Sequence, residues 1–437
     1  MEPLYTQALP KAFDENRIPL KTLSRGKNHM RLCALLSAAG LMLASVAAVP
    51  QDSSQAPEAR GAARTAVAQT PPMGWNSWNY FHRNVTEQDV KAAADALVST
   101  GMKDAGYIYV NIDDTWQGER NADGVLSANS KFPDMKGLAD YVHSKGLKLG
   151  IYSGPGPMTC AGYAGSYGHE QQDADLYASW GVDYLKYDLC SYIGIMQKQA
   201  PNDKPAQMRM MVAAYAKMDK ALKATGRPMV YSLCQYGWDA VWEWAPSVGG
   251  NLWRTTGDIQ PNWDRVYAIL EQQAGLEKYA RPGHWNDPDM LEVGNGKLTE
   301  AENRSHFSMW AMLAAPLLAG NDLAHMSPEV LRILTNRDVI AIDQDRLGRQ
   351  ATRAYADGEV EVWTRHLEHG ALAVAVLNAG SDRYATHPFR LNLSRLGLHG
   401  PQKAKDLWSG REVTLTNNEP IELAHHDILL VRIPQPK

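Results

Sequence analysis

The chain has 437 residues, 44% hydrophobic and 21% charged, a globular balance with room for a large core and a second module. Lys and Arg total 44 against 48 Asp and Glu, a formal charge of −4, so no basic field exists to hold nucleic acid. A single apolar run approaching ~18 residues excludes a multi-span membrane protein, and four cysteines are too few for a disulfide-built scaffold.

The first segment reads as an address. Residues 32–49 run LCALLSAAGLMLASVAAV behind Arg25, Lys27 and Arg31, and end in small residues at Ser45, Ala47 and Ala48. A basic flank, an apolar stretch and a small-residue exit are the parts of a secretory signal over residues 1–48, with Met30 a candidate start and an uncleaved anchor the alternative. Export, to a periplasmic or extracellular location, is therefore expected. Residues 49–68 are small and polar, a linker expected to be disordered. With Cys33 in the leader, Cys160, Cys190 and Cys234 remain, which allows one bridge at most and leaves one thiol free.

From 69 to 348 the pattern alternates. The β-rich runs 107–113 (YIYVNID), 148–152 (KLGIY), 184–188 (YLKYD) and 229–234 (MVYSLC) are separated by helical stretches at 87–100, 135–145, 169–180, 206–225, 262–273 and 299–314. Such alternation predicts βα units and a parallel sheet. Counting the shorter runs 74–78, 252–254, 284–286 and 317–319 gives about eight units, which fits a closed (β/α)8 TIM barrel, an α/β fold, better than an open sheet. From 349 to 437 the texture changes to short strands at 360–364, 371–377, 412–415 and 428–433 between Gly, Asp and Asn turns, a C-terminal antiparallel β-sandwich.

A barrel of this type collects its chemistry at the C-terminal ends of its strands. Acids stand there: Asp113 and Asp114 after the second strand, Asp188 on the fourth, Asp258 past the sixth, Asp287 and Asp289 at the seventh. Lys186 and Asp188 are two apart on one strand and point to one face, where the ammonium keeps the carboxylate ionised. Arg254 and Asp258 offer a second cation and acid. One Asp after a strand is often only a helix N-cap. Acids at four rims beside Trp75, Trp78, Trp116 and Trp285 are a pattern, and aromatics with a polar handle suit a site that is part apolar and part wet. Carboxylates among tryptophans without a metal motif suit glycoside hydrolysis, one acid as nucleophile and one as proton donor. A metal held by Asp113, Asp114 and Asp289 stays open as the alternative. His425, His426 and Asp427 read as surface groups of the β-module.

The strings PPMGWNSWNYF (71–81), YVNIDDTW (109–116), GLKLGIYSGPG (146–156), GVDYLKYDLC (181–190) and WNDPDMLEVGNG (285–296) closely resemble the α-galactosidase family of retaining glycoside hydrolases (glycoside hydrolase family 27, melibiase-like). The resemblance runs from about Pro71 to the C-terminus. It implies a barrel followed by a β-sandwich, no cofactor, no metal, and a small α-galactoside as partner. Neither nucleic acid nor, after signal cleavage, a membrane is expected as a partner, and the oligomeric state stays open.

The same resemblance implies roles. Asp188 in KYDLC matches the nucleophile, and Asp258, four residues after Arg254 in WRTTGDI, matches the acid/base, with the two carboxyl groups expected about 5–5.5 Å apart. Asp258 needs a raised pKa to start protonated, against the pull of Arg254. Asp113 and Asp114 match acceptors of the 4- and 6-hydroxyls, and Lys186 and Arg254 donors to the 3- and 2-hydroxyls. Trp75 and Tyr152 would line the apolar face of the sugar and Asp289 the floor. Cys160 and Cys190 match a family disulfide. Many relatives have Cys-Glu or Cys-Glu-Trp in the fifth-strand segment where this chain has CQYGW, so Gln235 stands where the 2-hydroxyl is read. Bulky Gln235, Tyr236 and Trp238 disfavour a 2-acetamido group. The expectation is an exported, retaining exo-enzyme for terminal non-reducing α-D-galactosyl groups, working through a galactosyl-aspartate. β-L-Arabinopyranosidase and α-N-acetylgalactosaminidase are its rivals within the family, and retention of both Asp113 and Asp114 favours galactose. A non-catalytic sugar-binding protein would lack Asp188 or Asp258.

Overall fold

Eight short parallel strands organise the first two thirds of the molecule. In the computed structural model, which describes residues 67–380, 387–417 and 420–434, they are Met73–Asn76, Tyr109–Asn111, Lys148–Ser153, Tyr184–Asp188, Val230–Cys234, Leu252–Arg254, Trp285–Asp287 and Leu317–Ala319. They pair in chain order, with the eighth beside the first. The seventh and eighth share no ladder. A single parallel bridge, Leu291 to Ala319, closes the ring, with the Leu291 N–H donating to Leu318 O at 2.8 Å. The expected signal and most of the expected linker lie outside the described residues.

The helices form where polar caps precede apolar periodicity. Glu87–Ser99 and Glu300–Met312 each start with a capping box, Thr86 with Asp89 and Thr299 with Glu302. Asp134 and Asp203 cap the helices Met135–Ser144 and Lys204–Ala224. The aspartates of the barrel rim cap none of the described helices. The sequence pattern misses the short helices Tyr192–Gln199, Pro328–Leu334 and Arg337–Asp343 and the hairpin Gln117–Arg120 with Leu126–Ala128. Each is too short for its periodicity to stand out.

The lower barrel is plugged. Tyr109, Tyr184, Val230, Leu252 and Trp285, at or near the first residues of their strands, form one buried cluster against Val67 and Ala68. The Trp285 indole donates to Ala68 O at 2.8 Å, and Gly283 N–H to the same oxygen at 2.9 Å. The last two residues of the expected linker are therefore docked rather than disordered. With that end sealed by aromatics, the polar residues are left to the opposite rim.

The C-terminal part is an antiparallel six-stranded sheet, ordered Thr352–Asp357, Val360–His366, Leu372–Asn378, Ile428–Ile433, Gln402–Asp406, Glu412–Leu415, with a two-stranded partner of His387–Phe389 and Ile421–Leu423. Leu372–Asn378 is buried at every position. Leu372, Val374 and Val376 face the sandwich core, whereas Ala373, Ala375 and Leu377 belong to the large core shared with the barrel. Burial on both faces is why ALAVAVL shows no polar alternation. His425 and His426 are no simple surface pair: His426 is buried, stacks 4.5 Å from Trp263 and bonds Glu302 at 2.7 Å, and Asp427 pairs with Arg304. His426 and Asp427 thus join sandwich to barrel.

Candidate active site

The open end of the barrel holds a cavity of ≈ 330 Å³. Asp113, Asp114, Tyr152, Lys186, Asp188, Arg254, Asp258 and Asp289 all line it. Five strands or their exits thus deliver these polar side chains to one opening.

Each group is fixed by its neighbours. Lys186 Nζ donates to Asp113 Oδ2 at 2.7 Å, and Asn76 donates to the same oxygen at 2.9 Å. Burial opposes the charge on Lys186, but Asp113 with Asp188 and Asp289 outweighs it and its pKa rises. Asp114 accepts the N–H of Thr115 and of Ala161, each at 2.7 Å. Burial exceeds the effect of those donors and pushes Asp114 up to about 6. Arg254 is buried and bridges Asp289 at 2.8 Å and Asp258 at 3.1 Å.

The two catalytic candidates sit in unlike surroundings. Asp188 is buried, with Tyr152 donating to Oδ2 at 3.1 Å and Tyr236 to Oδ1 at 2.6 Å. Burial raises its pKa, while Lys186 and the Tyr236 hydrogen bond pull against the rise. The Asp258 side chain is 77% exposed. What burial it has would raise its pKa, but Arg254, Lys186 and Arg265 win and hold its carboxyl below the usual range. The raised pKa that an acid/base needs is therefore not a property of the open site.

The third and fourth rim loops are locked together at this point. Cys160 and Cys190 form the expected disulfide, and Cys234 is a buried free thiol. Gly154 lies so close to the fourth strand that a Cβ there would sit 2.3 Å from Asp188 O. No larger residue fits.

Family models match both modules. The model described as alpha galactosidase A covers residues 70–345, and that of the alpha galactosidase C-terminal beta sandwich domain covers 357–433. The chain belongs to the α-galactosidase family. Within the family it is 46% identical over 389 residues to Alpha-galactosidase A of Cellvibrio japonicus, spanning 84% of this chain and 92% of the relative. It is 45% identical to Alpha-galactosidase of Cyamopsis tetragonoloba, spanning 82% and 84%. The crystal structure of alpha-galactosidase I from Mortierella vinacea superposes with a TM-score of 0.79 at 35% identity, covering 86% of this chain and 99% of that one. The enzyme is accordingly an α-galactosidase acting on a small carbohydrate.

Three of the residues expected to bind the sugar do not line the α-galactosidase cavity. Trp75 is wholly buried, its indole donating to Asn321 O at 2.9 Å and its ring edge-on to Phe81, so it is core. The tryptophan on the wall is Trp78. Trp116 and Trp285 are likewise buried, so one of the four rim tryptophans faces the opening. Gln235 is wholly buried off the cavity, and neither atom of its amide finds a partner among the described residues. Trp238 is 44% exposed outside the cavity, edge-on to Tyr236 at 5.9 Å. Of the three bulky residues after the fifth strand only Tyr236 reaches the wall.

Glu292 was not anticipated from the sequence. It lines the cavity, accepts from Asn79 at 2.8 Å and Asn295 at 2.7 Å, and burial pushes it up to about 7. Its signal was its place in the quoted WNDPDMLEVGNG string, just beyond the seventh strand. The metal alternative loses its geometry. Among the described residues the one trio of ligand-type groups within 4.8 Å is Cys160, Asp188 and Cys190, and two of these are joined in the disulfide.

Proposed function

We propose that the α-galactosidase reaction proceeds here by double displacement with retention, Asp188 as nucleophile and Asp258 as acid/base. Asp188 attacks the anomeric carbon while Asp258 protonates the leaving oxygen; Asp258 then takes a proton from the water that releases galactose. The observation that carries this reading is the shared cavity, in which a buried carboxylate flanked by Lys186, Tyr152 and Tyr236 opens onto the same space as an exposed carboxylate on Arg254. Asp113 and Asp114 would accept the 4- and 6-hydroxyls, Lys186 and Arg254 would donate to the 3- and 2-hydroxyls, Asp289 would hold Arg254 at the floor, and Trp78 with Tyr152 would meet the apolar face. Buried charged partners discriminate strongly, because an epimer leaves them unpaired. Export through residues 1–48 belongs to the same proposal, and fractionation of the producing cell tests it.

The deciding experiment is Asp188→Ala with an aryl α-galactoside. Turnover should fall on the order of 10⁴-fold or more, and added azide should restore release of the phenol and give the β-galactosyl azide. An α-azide would assign Asp188 to the acid/base role instead, and retained activity would remove it from the chemistry. A panel of nitrophenyl α-galactoside, α-N-acetylgalactosaminide and β-L-arabinopyranoside measures the preference at C2 and C6.

A further inference from the structure

The shorter of the two phenol contacts on the Asp188 carboxylate comes from a residue with an unusual backbone. Tyr236 has φ of 64°, a left-handed conformation that costs a bulky side chain roughly 1–2 kcal/mol. Something holds it there. The next residue, Gly237, also has positive φ, and a Cβ on it would stand 2.1 Å from Thr255 O, so the turn lies flat against the exit of the sixth strand. The ring of Trp238 abuts Tyr236 on the outer side. The result is a phenol oxygen 2.6 Å from Asp188 Oδ1 and 3.4 Å from Cys160 Sγ. A hydroxyl has one proton and a disulfide sulfur has none to give, so the Tyr236 hydroxyl keeps its proton and donates it as a hydrogen bond to Oδ1.

We propose that Tyr236 is a positioning residue that holds Oδ1 of the nucleophile, leaves Oδ2 to attack, and speeds breakdown of the galactosyl-enzyme. The inference rests on the reading of Asp188 as nucleophile. In the first step the Oδ2 lone pair forms the bond to C1, the glycosidic C1–O bond breaks, and the leaving oxygen takes the proton of Asp258. Oδ1 is then the carbonyl oxygen of a neutral ester. In the second step water attacks C1, the C1–Oδ2 bond breaks, its electron pair returns to the carboxylate, and the proton of the water goes to Asp258. Negative charge reappears on Oδ1, where the Tyr236 hydroxyl already points. A hydrogen bond to a carboxylate is about twice as strong as one to a neutral acceptor, so the phenol favours the free carboxylate over the ester. It makes Asp188 a weaker base and a better leaving group.

Tyr236→Phe tests this with a nitrophenyl α-galactoside, comparing steady state and the first turnover. Deglycosylation should slow, so kcat falls about tenfold and KM falls with it, kcat/KM changes little, and a burst of nitrophenol appears. The limb of kcat/KM that reports Asp188 should move up by about one pH unit, since a donor to the charged form of Asp188 has gone. The other groups facing that carboxylate, Lys186, Tyr152, Asp113, Arg254 and Cys234, stay in place. A thermal melt fixes the folded fraction. Equal falls in kcat and kcat/KM, with no burst and an unmoved limb, would make the phenol mere packing and overturn the inference. That result beside a β-azide from Asp188→Ala would sink only the role of Tyr236; an α-azide would take the nucleophile assignment with it.

Discussion

At the scale of single residues, the catalytic pair carries pKa shifts of opposite sign to its task. Asp188 must be ionised to attack, yet burial raises its pKa and enlarges the protonated, inactive fraction. Asp258 must be protonated to donate, yet burial, which would raise its pKa, is overridden by Arg254 with Lys186 and Arg265, which lower it and enlarge the ionised, inactive fraction. In the open enzyme the competent combination is a minority form between the two values, and the two limbs belong to the coupled pair. A bound galactoside covers the exposed face of Asp258, strips its water and raises its pKa. We expect the limb that reports Asp258 to stand about one pH unit higher in kcat than in kcat/KM. Coincident limbs would show that the sugar does not retune Asp258. Gln235 gives the second test at this scale. Gln235 is buried off the cavity, so Gln235→Leu should leave KM within about twofold. A tenfold rise in KM would return Gln235 to the 2-hydroxyl.

At the scale of elements, the rim loops decide whether aspartates become a site. The disulfide closes a separation of 30 residues, worth about 3–4 kcal/mol on the loop-entropy model. It also touches both phenols: Cys190 Sγ lies 3.2 Å from the Tyr152 hydroxyl and Cys160 Sγ 3.4 Å from that of Tyr236. Replacing both cysteines by serine should therefore lower the melting temperature and cut kcat by about tenfold, because the donors on both oxygens of Asp188 lose a wall. A lower melting temperature with full kcat would reduce the bridge to a staple. The fifth-strand exit shows how short elements escape sequence reading. Alternation along Val230–Cys234 assigns faces, but the left-handed turn at Tyr236 and Gly237 resets them, burying Gln235 and bringing Tyr236 to the wall.

At the scale of the whole molecule, barrel and sandwich share a core. Trp363, Ala373, Ala375, Leu377 and Leu430 of the sandwich pack in the same apolar cluster as Trp310 and Phe307 of the helix Glu300–Met312. Arg365 crosses the junction wholly buried, donating to Ala311 O in that helix and to Asp343 O at 3.2 Å. Trp408 adds a bond from its indole to Ser308 at 2.9 Å. Arg365→Ala would remove the guanidinium's hydrogen bonds to Ala311 O and Asp343 O and its buried packing, and should cost ~2–4 kcal/mol in urea unfolding, while kcat at 25 °C stays within about twofold. A change under about 1 kcal/mol would mean that the junction draws nothing net from this guanidinium.

The sequence by itself determined the two-module order, the eight βα units and the identity of most polar groups at the opening. These follow from period-2 and period-3.6 patterning and from acids at strand ends, which are local properties that a one-dimensional reading can see. Lys186 and Asp188 needed only their spacing of two to be placed together. Tertiary structure decided which tryptophan faces the sugar, because Trp75 and Trp78 differ only in what packs over them, Asn321 and Phe81 against one and the open cavity beside the other. It also decided that Asp258 starts ionised and that Tyr236 meets the nucleophile. Both depend on distances between different strands, and burial and Coulomb attraction act through space with no trace in the spacing of residues along the chain.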